Sequence, residues 1–208
     1  MKKICITGGI ACGKSSVGNV LRELGVRIID ADDVCHELFR RVGPLVDKIA
    51  AIFGKKILNP EGGIDRRALG RIIFTDGGKR EKLNTIVHPE ARRAINGWLR
   101  LQAADCGKKN VRRLPGANVA AALVPLAYEA GWENGWDAII CVAAPFSAQI
   151  ARLVRKGLSE KEAGLRIAAQ MPVAEKMNKA DYVIFNAGTF AGLRQQAEKV
   201  FRSINPDV

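Results

Sequence analysis

The sequence predicts an α/β protein: a five-stranded parallel sheet flanked by helices. Three observations carry that reading. Short apolar runs of strand length alternate with segments of helical period along the chain. The first apolar run opens directly into a glycine-rich turn that ends in Gly13-Lys14-Ser15. The second ends in Asp30-Ala31-Asp32, which delivers carboxylates to the carboxyl end of a strand, the edge at which open parallel sheets bind ligands.

The elements follow in order. Lys3-Ile4-Cys5-Ile6-Thr7 reads as a short buried strand, and Val17, Val20, Leu21 and Leu24 then recur at helical spacing. Gly25 closes that helix, and Val26-Arg27-Ile28-Ile29 is the second strand. Asp33-Val34-Cys35-His36-Glu37-Leu38 opens a helix, with Asp33 or Asp32 as its N-cap. Gly43-Pro44 breaks the chain, and residues 45–53 form a helix with Leu45, Ile49 and Ile52 on one face. After the turn at residues 59–63, Asp65 caps a helix through Ala68, Leu69, Ile72 and Ile73. Asp76-Gly77-Gly78 precedes a helix holding Leu83 and Ile86, and His88-Pro89 is expected to start a further long helix, with Pro89 in its first position. Residues 108–116 form a polar connector. Residues 118–124 are a buried strand, 125–131 a loop or short helix, and 137–142 another strand. A helix over 147–156 carries Arg152 and Arg155. Ser159 and Glu162 have capping-box spacing for a helix running to about Met171. Residues 181–185 are the last strand, followed by a terminal helix.

The stretch Gly8-Gly9-Ile10-Ala11-Cys12-Gly13-Lys14-Ser15 fits the phosphate-binding loop pattern, and its strand–turn–helix context is the one the pattern requires. Glycines let backbone N–H groups turn inward onto phosphate oxygens, and the helix N-terminus adds the positive end of its dipole. Lys14 is placed to reach the outer phosphates, and the Ser15 hydroxyl to bind Mg²⁺. A nucleoside triphosphate is therefore expected, held by Gly9, Ile10, Ala11, Cys12, Gly13, Lys14, Ser15 and Ser16.

Composition bounds the setting. The 208 residues suffice for one globular core with insertions, and no apolar run approaches a membrane span. Met1-Lys2-Lys3 leads straight into the first strand, so no secretory signal is expected. Five cysteines, odd in number and without a C-x-x-C pair, suggest neither a disulfide framework nor a zinc site, and fit a reduced cytoplasmic compartment. Cys12, beside Lys14 and bound phosphate, either has a lowered pKa or is simply a small side chain fitting a tight turn. The net charge is +12, and residues 40–113 hold 18 Lys+Arg against 7 Asp+Glu, an excess of +11. A solvated face, a nucleic-acid surface and a pocket for a small polyanion all fit such a segment. Aromatic residues are not interleaved with its charges, which argues against a stacking platform for single strands.

The chain resembles the dephospho-coenzyme A kinases, which are related in fold to nucleoside monophosphate kinases. The resemblance rests on Thr7-Gly8-Gly9-Ile10 with Gly13-Lys14-Ser15, Ile29-Asp30-Ala31-Asp32, Phe53-Gly54, Leu83-Asn84 with Val87-His88-Pro89, and Pro125-Leu126 with Glu129. Gln149 with Arg152, Ala169-Gln170-Met171-Pro172, and Ala180-Asp181 with Val183-Ile184 and Asn186 complete it. The resemblance implies a P-loop NTPase fold in three parts: a core over about 1–32, 117–145 and 180–208, a helical acceptor-binding insertion over about 33–116, and a small helical lid over about 146–179. It implies transfer of the ATP γ-phosphoryl group to the 3′-hydroxyl of dephospho-coenzyme A, with Mg²⁺, and neither nucleic acid nor membrane as partner. Lys14, Asp32 and Arg152 are then the catalytic candidates. Asp32 and His88 would bind the acceptor, Arg155 would be a second cation toward the nucleotide, and Ser15 the metal ligand. Arg152 is expected to reach the transferring group mainly when the lid closes. Departures from the family pattern are Ala11 for glycine, Leu123 for an acidic residue before Pro125-Leu126, and Phe185 for an acidic residue before Asn186. Leu123 removes one candidate Mg²⁺ carboxylate. A kinase of another small hydroxyl-bearing metabolite, a nucleic-acid-binding NTPase and a silent nucleotide-binding regulator are the rival readings.

Overall fold

A computed structural model describes residues 1–74, 76–105 and 115–206 of the chain. Most of the polar connector expected at 108–116, with Cys106 and the basic residues Lys108, Lys109, Arg112 and Arg113, lies outside the described residues. Two compact units divide the chain: Met1–Ile29 with Leu99–Val208, and Asp30–Trp98.

The first unit is built on a five-stranded parallel sheet of order β2-β3-β1-β4-β5. Its strands are β1 (Lys2–Gly8), β2 (Arg27–Asp30), β3 (Val119–Leu123), β4 (Ala138–Ala143) and β5 (Tyr182–Phe185). The centre of the sheet is apolar on both faces: every residue of β3 and β4 is buried, as are Ile4, Cys5 and Ile6 of β1. That is why these strands read as continuous apolar runs rather than alternating ones. Ile4 stands opposite Ala121 on one side and Ala138 on the other, small residues that let the central strand carry the larger side chains. Helices α1 (Lys14–Glu23) and α9 (Phe190–Ile204) cover one side, burying Val17, Val20 and Leu21 with Leu193, Ala197 and Phe201 in one cluster. Between β4 and β5 run α6 (Phe146–Val154), α7 (Glu160–Ala168) and α8 (Val173–Lys179). The capping box holds: the Ser159 hydroxyl accepts from the Glu162 N–H, and the Glu162 carboxylate accepts from the Ser159 N–H at 2.9 Å.

The second unit is helical: α2 (Ala31–Arg40), α3 (Pro44–Phe53), a 3₁₀ turn at Lys55–Ile57, α4 (Arg66–Phe74) and α5 (Gly77–Asp105), whose last turns belong to the first unit. Val46, Ile49, Phe53, Ile57, Ile64, Leu69, Leu83 and Val87 form its own core. Asp65 caps α4 as expected, its Oδ1 accepting from the amides of Arg67 and Ala68.

Two sequence expectations are corrected and one element is added. Helix α2 is capped by Asp30, whose Oδ1 accepts from the Asp32 N–H at 2.9 Å, and not by Asp32 or Asp33. His88-Pro89 does not begin a helix but lies inside the 29-residue α5. Pro89 forfeits one backbone hydrogen bond, yet Leu83, Val87, Ala91 and Ile95 form an unbroken buried stripe at every fourth residue, and burying them outweighs that loss. Finally, α8 is a separate helix after Pro172, which the sequence reading leaves unassigned.

Helix α8 is fixed by an ion pair. Lys176 is fully buried. Its Nζ lies 2.7 Å from Glu129 Oε1 and donates to the Pro125 carbonyl at 2.9 Å. The same carboxylate oxygen accepts the Met171 N–H at 3.0 Å, so one acid holds the turn before α8 as well as its middle. Removing one partner leaves a charge with little water around it. Lys176→Ala is expected to cost about 3 kcal/mol in urea unfolding, whereas Lys176→Met with Glu129→Gln recovers most of it; a single variant as stable as the parent would refute the pair's role.

Candidate active site

The glycine-rich turn joins β1 to α1. Gly13 is the N-cap of α1 with φ 102°, no side chain caps the helix, and its first turn carries no acid. An uncapped helix start with successive inward amides is an anion-binding nest. Its left-handed corner at Ala11, with φ 57°, is the only such non-glycine residue among the described residues. The alanine that replaces glycine there is thus held in a conformation costing about 1 kcal/mol. Lys14 Nζ donates to the Gly8 and Gly9 carbonyls at 3.1 and 2.8 Å, so its ammonium lies back along the loop. Phosphate oxygens would compete for that ammonium. Ser15 is exposed on the first turn of α1 and Ser16 is half-buried beside it.

The loop is gripped from outside by residues of the same unit that lie far along the chain. Arg152, near the end of α6, donates from Nη1 to the Ala11 carbonyl at 2.9 Å and from Nη2 to the Asn186 carbonyl at 3.2 Å. Its guanidinium thus lies at the loop, bonded to a loop carbonyl and to the residue after β5. Gln170, in the turn before α8, accepts the Ile10 N–H at 2.9 Å. Gln149 is buried against Gly9: a Cβ added there would stand 2.9 Å from Cys12 Sγ and 3.1 Å from Gln149 Oε1. Arg155 is the exposed C-cap residue of α6.

Cys12 is fully buried, and burial pushes its thiol above the ordinary range, although Lys14 and Arg152 pull the other way. Its burial accords with the reading of a small side chain that fills a tight turn. Burial likewise pushes Cys141 up to about 11. Leu123 is buried with its Cδ atoms against Gly18 of α1, so the position before Val124-Pro125 serves packing.

In the second unit Asp32 is exposed on the first turn of α2. With Asp30 capping, the Asp32 carboxylate is not committed to the helix amides. Burial, with Asp32 and Asp30 nearby, pushes Cys35 up to about 11. His88 is half-buried in α5. The basic segment supplies a concave site of its own. A cavity of about 400 Å³ is lined by Lys56, Arg71, Lys79 and Lys82 over Phe53, Ile52 and Ile72. Asp76 pairs with Lys79 at 3.3 Å. Cations converging over an apolar floor suit a phosphate-bearing ligand with an apolar arm.

The parallel sheet and its uncapped, lysine-bearing loop define a P-loop kinase. Comparison with known proteins narrows the class. A model of the dephospho-CoA kinase family matches residues 3–192. A dephospho-CoA kinase of Symbiobacterium thermophilum is 41% identical over 204 residues, covering 98% of this chain and 81% of that protein. One of Aquifex aeolicus is 35% identical over 207 residues and the full length of both. The solved dephospho-CoA kinase from Campylobacter jejuni superposes with a TM-score of 0.69 at 29% identity, covering 100% of this chain and 99% of that one. The chain belongs to the dephospho-CoA kinase family.

Residues that sequence reasoning left without a role are Asn186 and Gln170. Both lie in the stretches that carry the family resemblance, but only the fold brings them to the loop. The placement of Arg152 generates an expectation. Because it bonds the loop itself, Arg152→Ala should raise the KM for ATP about tenfold as well as lowering kcat by on the order of 10²–10³. Steady-state kinetics with varied ATP read both; a fall in kcat with KM unchanged would show that the loop contact contributes nothing to nucleotide binding.

Proposed function

We propose that this protein transfers the γ-phosphoryl group of ATP to the 3′-hydroxyl of dephospho-coenzyme A, the last step of coenzyme A synthesis, with roles for its residues as follows. The observation that carries the reading is the uncapped loop-to-helix nest with Lys14, in a chain that matches the family over nearly its whole length. Phosphoryl transfer asks little covalent work of a protein and depends on alignment and on compensation of charge. Loop amides and Lys14 hold the β- and γ-phosphates. The planar fork of Arg152 bonds oxygens of the transferring group, with Arg155 as the second candidate cation.

Mg²⁺ fits the donors present. The exposed Ser15 hydroxyl offers one oxygen, and Leu123 supplies no carboxylate, which suits an ion that keeps several waters beside phosphate oxygens. When bound, it neutralises charge on the β- and γ-phosphates. Residues of about 146–179 act as the lid. The segment of about 33–116 receives the acceptor, with Asp32 and His88 as its ligands. The cationic cavity there offers the acceptor's phosphates a counter-charge. A cytoplasmic location accords with Cys5, Cys12, Cys35 and Cys141 being free thiols.

The deciding experiment combines purified protein, ATP, Mg²⁺ and dephospho-coenzyme A and identifies the product by mass. Coenzyme A and ADP should form in equal amounts. Rapid turnover of shikimate or a nucleoside monophosphate, with no ADP dependent on dephospho-coenzyme A, would move the protein to another kinase class.

Asp32 orients the acceptor hydroxyl and takes its proton as the bond to phosphorus forms. Asp32→Asn keeps the size and one oxygen but loses the basic charge. It should fold normally, bind both substrates and lose about 10²–10⁴ in turnover. Recovery of the rate at high Mg²⁺ would instead make Asp32 a metal-organising group, and full activity would remove it from the mechanism. For the cavity, Lys56→Ala with Lys82→Ala should raise the KM for dephospho-coenzyme A about tenfold while kcat stays within a factor of about two; an unchanged KM would separate the cavity from the acceptor.

A further inference from the structure

We propose that Asn186 is a positioning residue for nucleotide binding: by holding the Cys12 carbonyl from outside the loop, it aims the Gly13 N–H into the phosphate nest. Asn186 immediately follows β5. Its own N–H donates to the Ala143 carbonyl at 2.7 Å, which ties it to the end of β4. It is 9% exposed, and its Nδ2 donates to the Cys12 carbonyl at 2.9 Å. Among the described residues every peptide bond is trans, and in a trans peptide the C=O and N–H point to opposite sides. A Cys12 carbonyl turned toward Asn186 therefore turns the Gly13 N–H away from it, to the side where the uncapped start of α1 opens.

The contact is tight and directional. A Cβ on Gly13 would stand 2.4 Å from Asn186 Nδ2, so the glycine and the carboxamide are matched to each other. Only the NH₂ half of the carboxamide can face a carbonyl; an aspartate of the same shape would present an acceptor to an acceptor. The neighbouring peptides are fixed in the same way. Arg152 holds the Ala11 carbonyl and is itself bonded by the carbonyl of Asn186, while Gln170 holds the Ile10 N–H. Three side chains from the last third of the chain thus grip three peptide groups of the loop. A loop held in its binding shape before the ligand arrives spends less ordering entropy on binding. Asn186 acts through Gly13.

The inference rests on the loop being the nucleotide site, and the test separates the two. Binding of ADP, tripolyphosphate and adenosine is measured by titration calorimetry at fixed Mg²⁺ for the parent, Asn186→Ala and the isosteric Asn186→Asp, together with melting temperatures. In both variants ADP and tripolyphosphate should weaken about tenfold or more, the size of one charge-assisted hydrogen bond, while adenosine stays within about twofold. A role confined to folding would lower the melting temperature and leave the affinity of the folded protein intact, which overturns the proposal. Equal weakening of all three ligands also overturns it, because Asn186 would then support the nucleoside site. Unfolding of both variants where the parent is folded assigns Asn186 to the fold and overturns it too. Failure of the parent to bind ADP or tripolyphosphate would instead strike the reading of the loop.

Discussion

A backbone can hold phosphate with its amides only if the carbonyls of the same peptides are turned away and have partners of their own. That constraint organises much of this structure. Between β1 and α1 the chain turns through left-handed residues at Ala11 and Gly13, and the Ala11 and Cys12 carbonyls and the Ile10 N–H meet partners from elsewhere in the chain. A turned-out carbonyl left unpaired in a buried setting costs about 1–3 kcal/mol, enough to let the loop collapse onto another geometry. The partners come from the end of α6, the turn before α8 and the residue after β5. The parallel sheet brings these together because β4 ends beside β1 and β5 beside β4: Gly8 stands opposite Val142, and Ala143 opposite Phe185.

Position therefore passes down a chain of supports. Gln170 can hold Ile10 only if its turn is fixed, and the turn is fixed by Glu129, which takes the Met171 N–H and pairs with the buried Lys176. A buried ion pair is an expensive way to stabilise a protein and a specific way to fix one arrangement, since each charge needs its partner in place. Here it sits on α8, whose Val173 also packs against the core of the sheet. Lys176 also bonds the Pro125 carbonyl, which the Thr7 hydroxyl shares at 3.3 Å, so the same network reaches back to β1. The segment that includes α6, α7 and α8 is thereby tied to the loop by hydrogen bonds.

How much of this the sequence discloses depends on the range of the interaction. The five strands are legible because each is an apolar run whose signal is contained within a few residues. The phosphate loop is legible because eight consecutive residues state it, and the Ser159–Glu162 box because its reciprocal bonds span three residues. Other features need information that a local reading lacks. The helix start assigned to His88-Pro89 fails because a proline is a strong local signal, whereas the stripe through Leu83, Val87, Ala91 and Ile95 overrides it only when a core exists to receive it. The cap of α2 falls to Asp30 because that residue has the extended backbone, φ −110° and ψ 125°, that an N-cap requires, and three nearby aspartates look alike until the backbone is known. Asn186 is 174 residues from the carbonyl it holds, and no spacing rule reaches that far.

Arg152 shows why the site's residues cannot be sorted cleanly into binding and chemistry. An arginine finger is usually pictured as arriving late, when a lid closes on a bound nucleotide. In this chain the guanidinium already spans two carbonyls, those of Ala11 and Asn186. Arginine has five donors in a fixed fork and two carbonyls use only part of it, so the group can keep one edge on the loop and still present others to an anion. Neutral carbonyls hold it more weakly than phosphate oxygens would. The carbonyls of Ala11 and Asn186 thus hold the cation beside the loop. The cost of ordering this long flexible side chain is then met during folding.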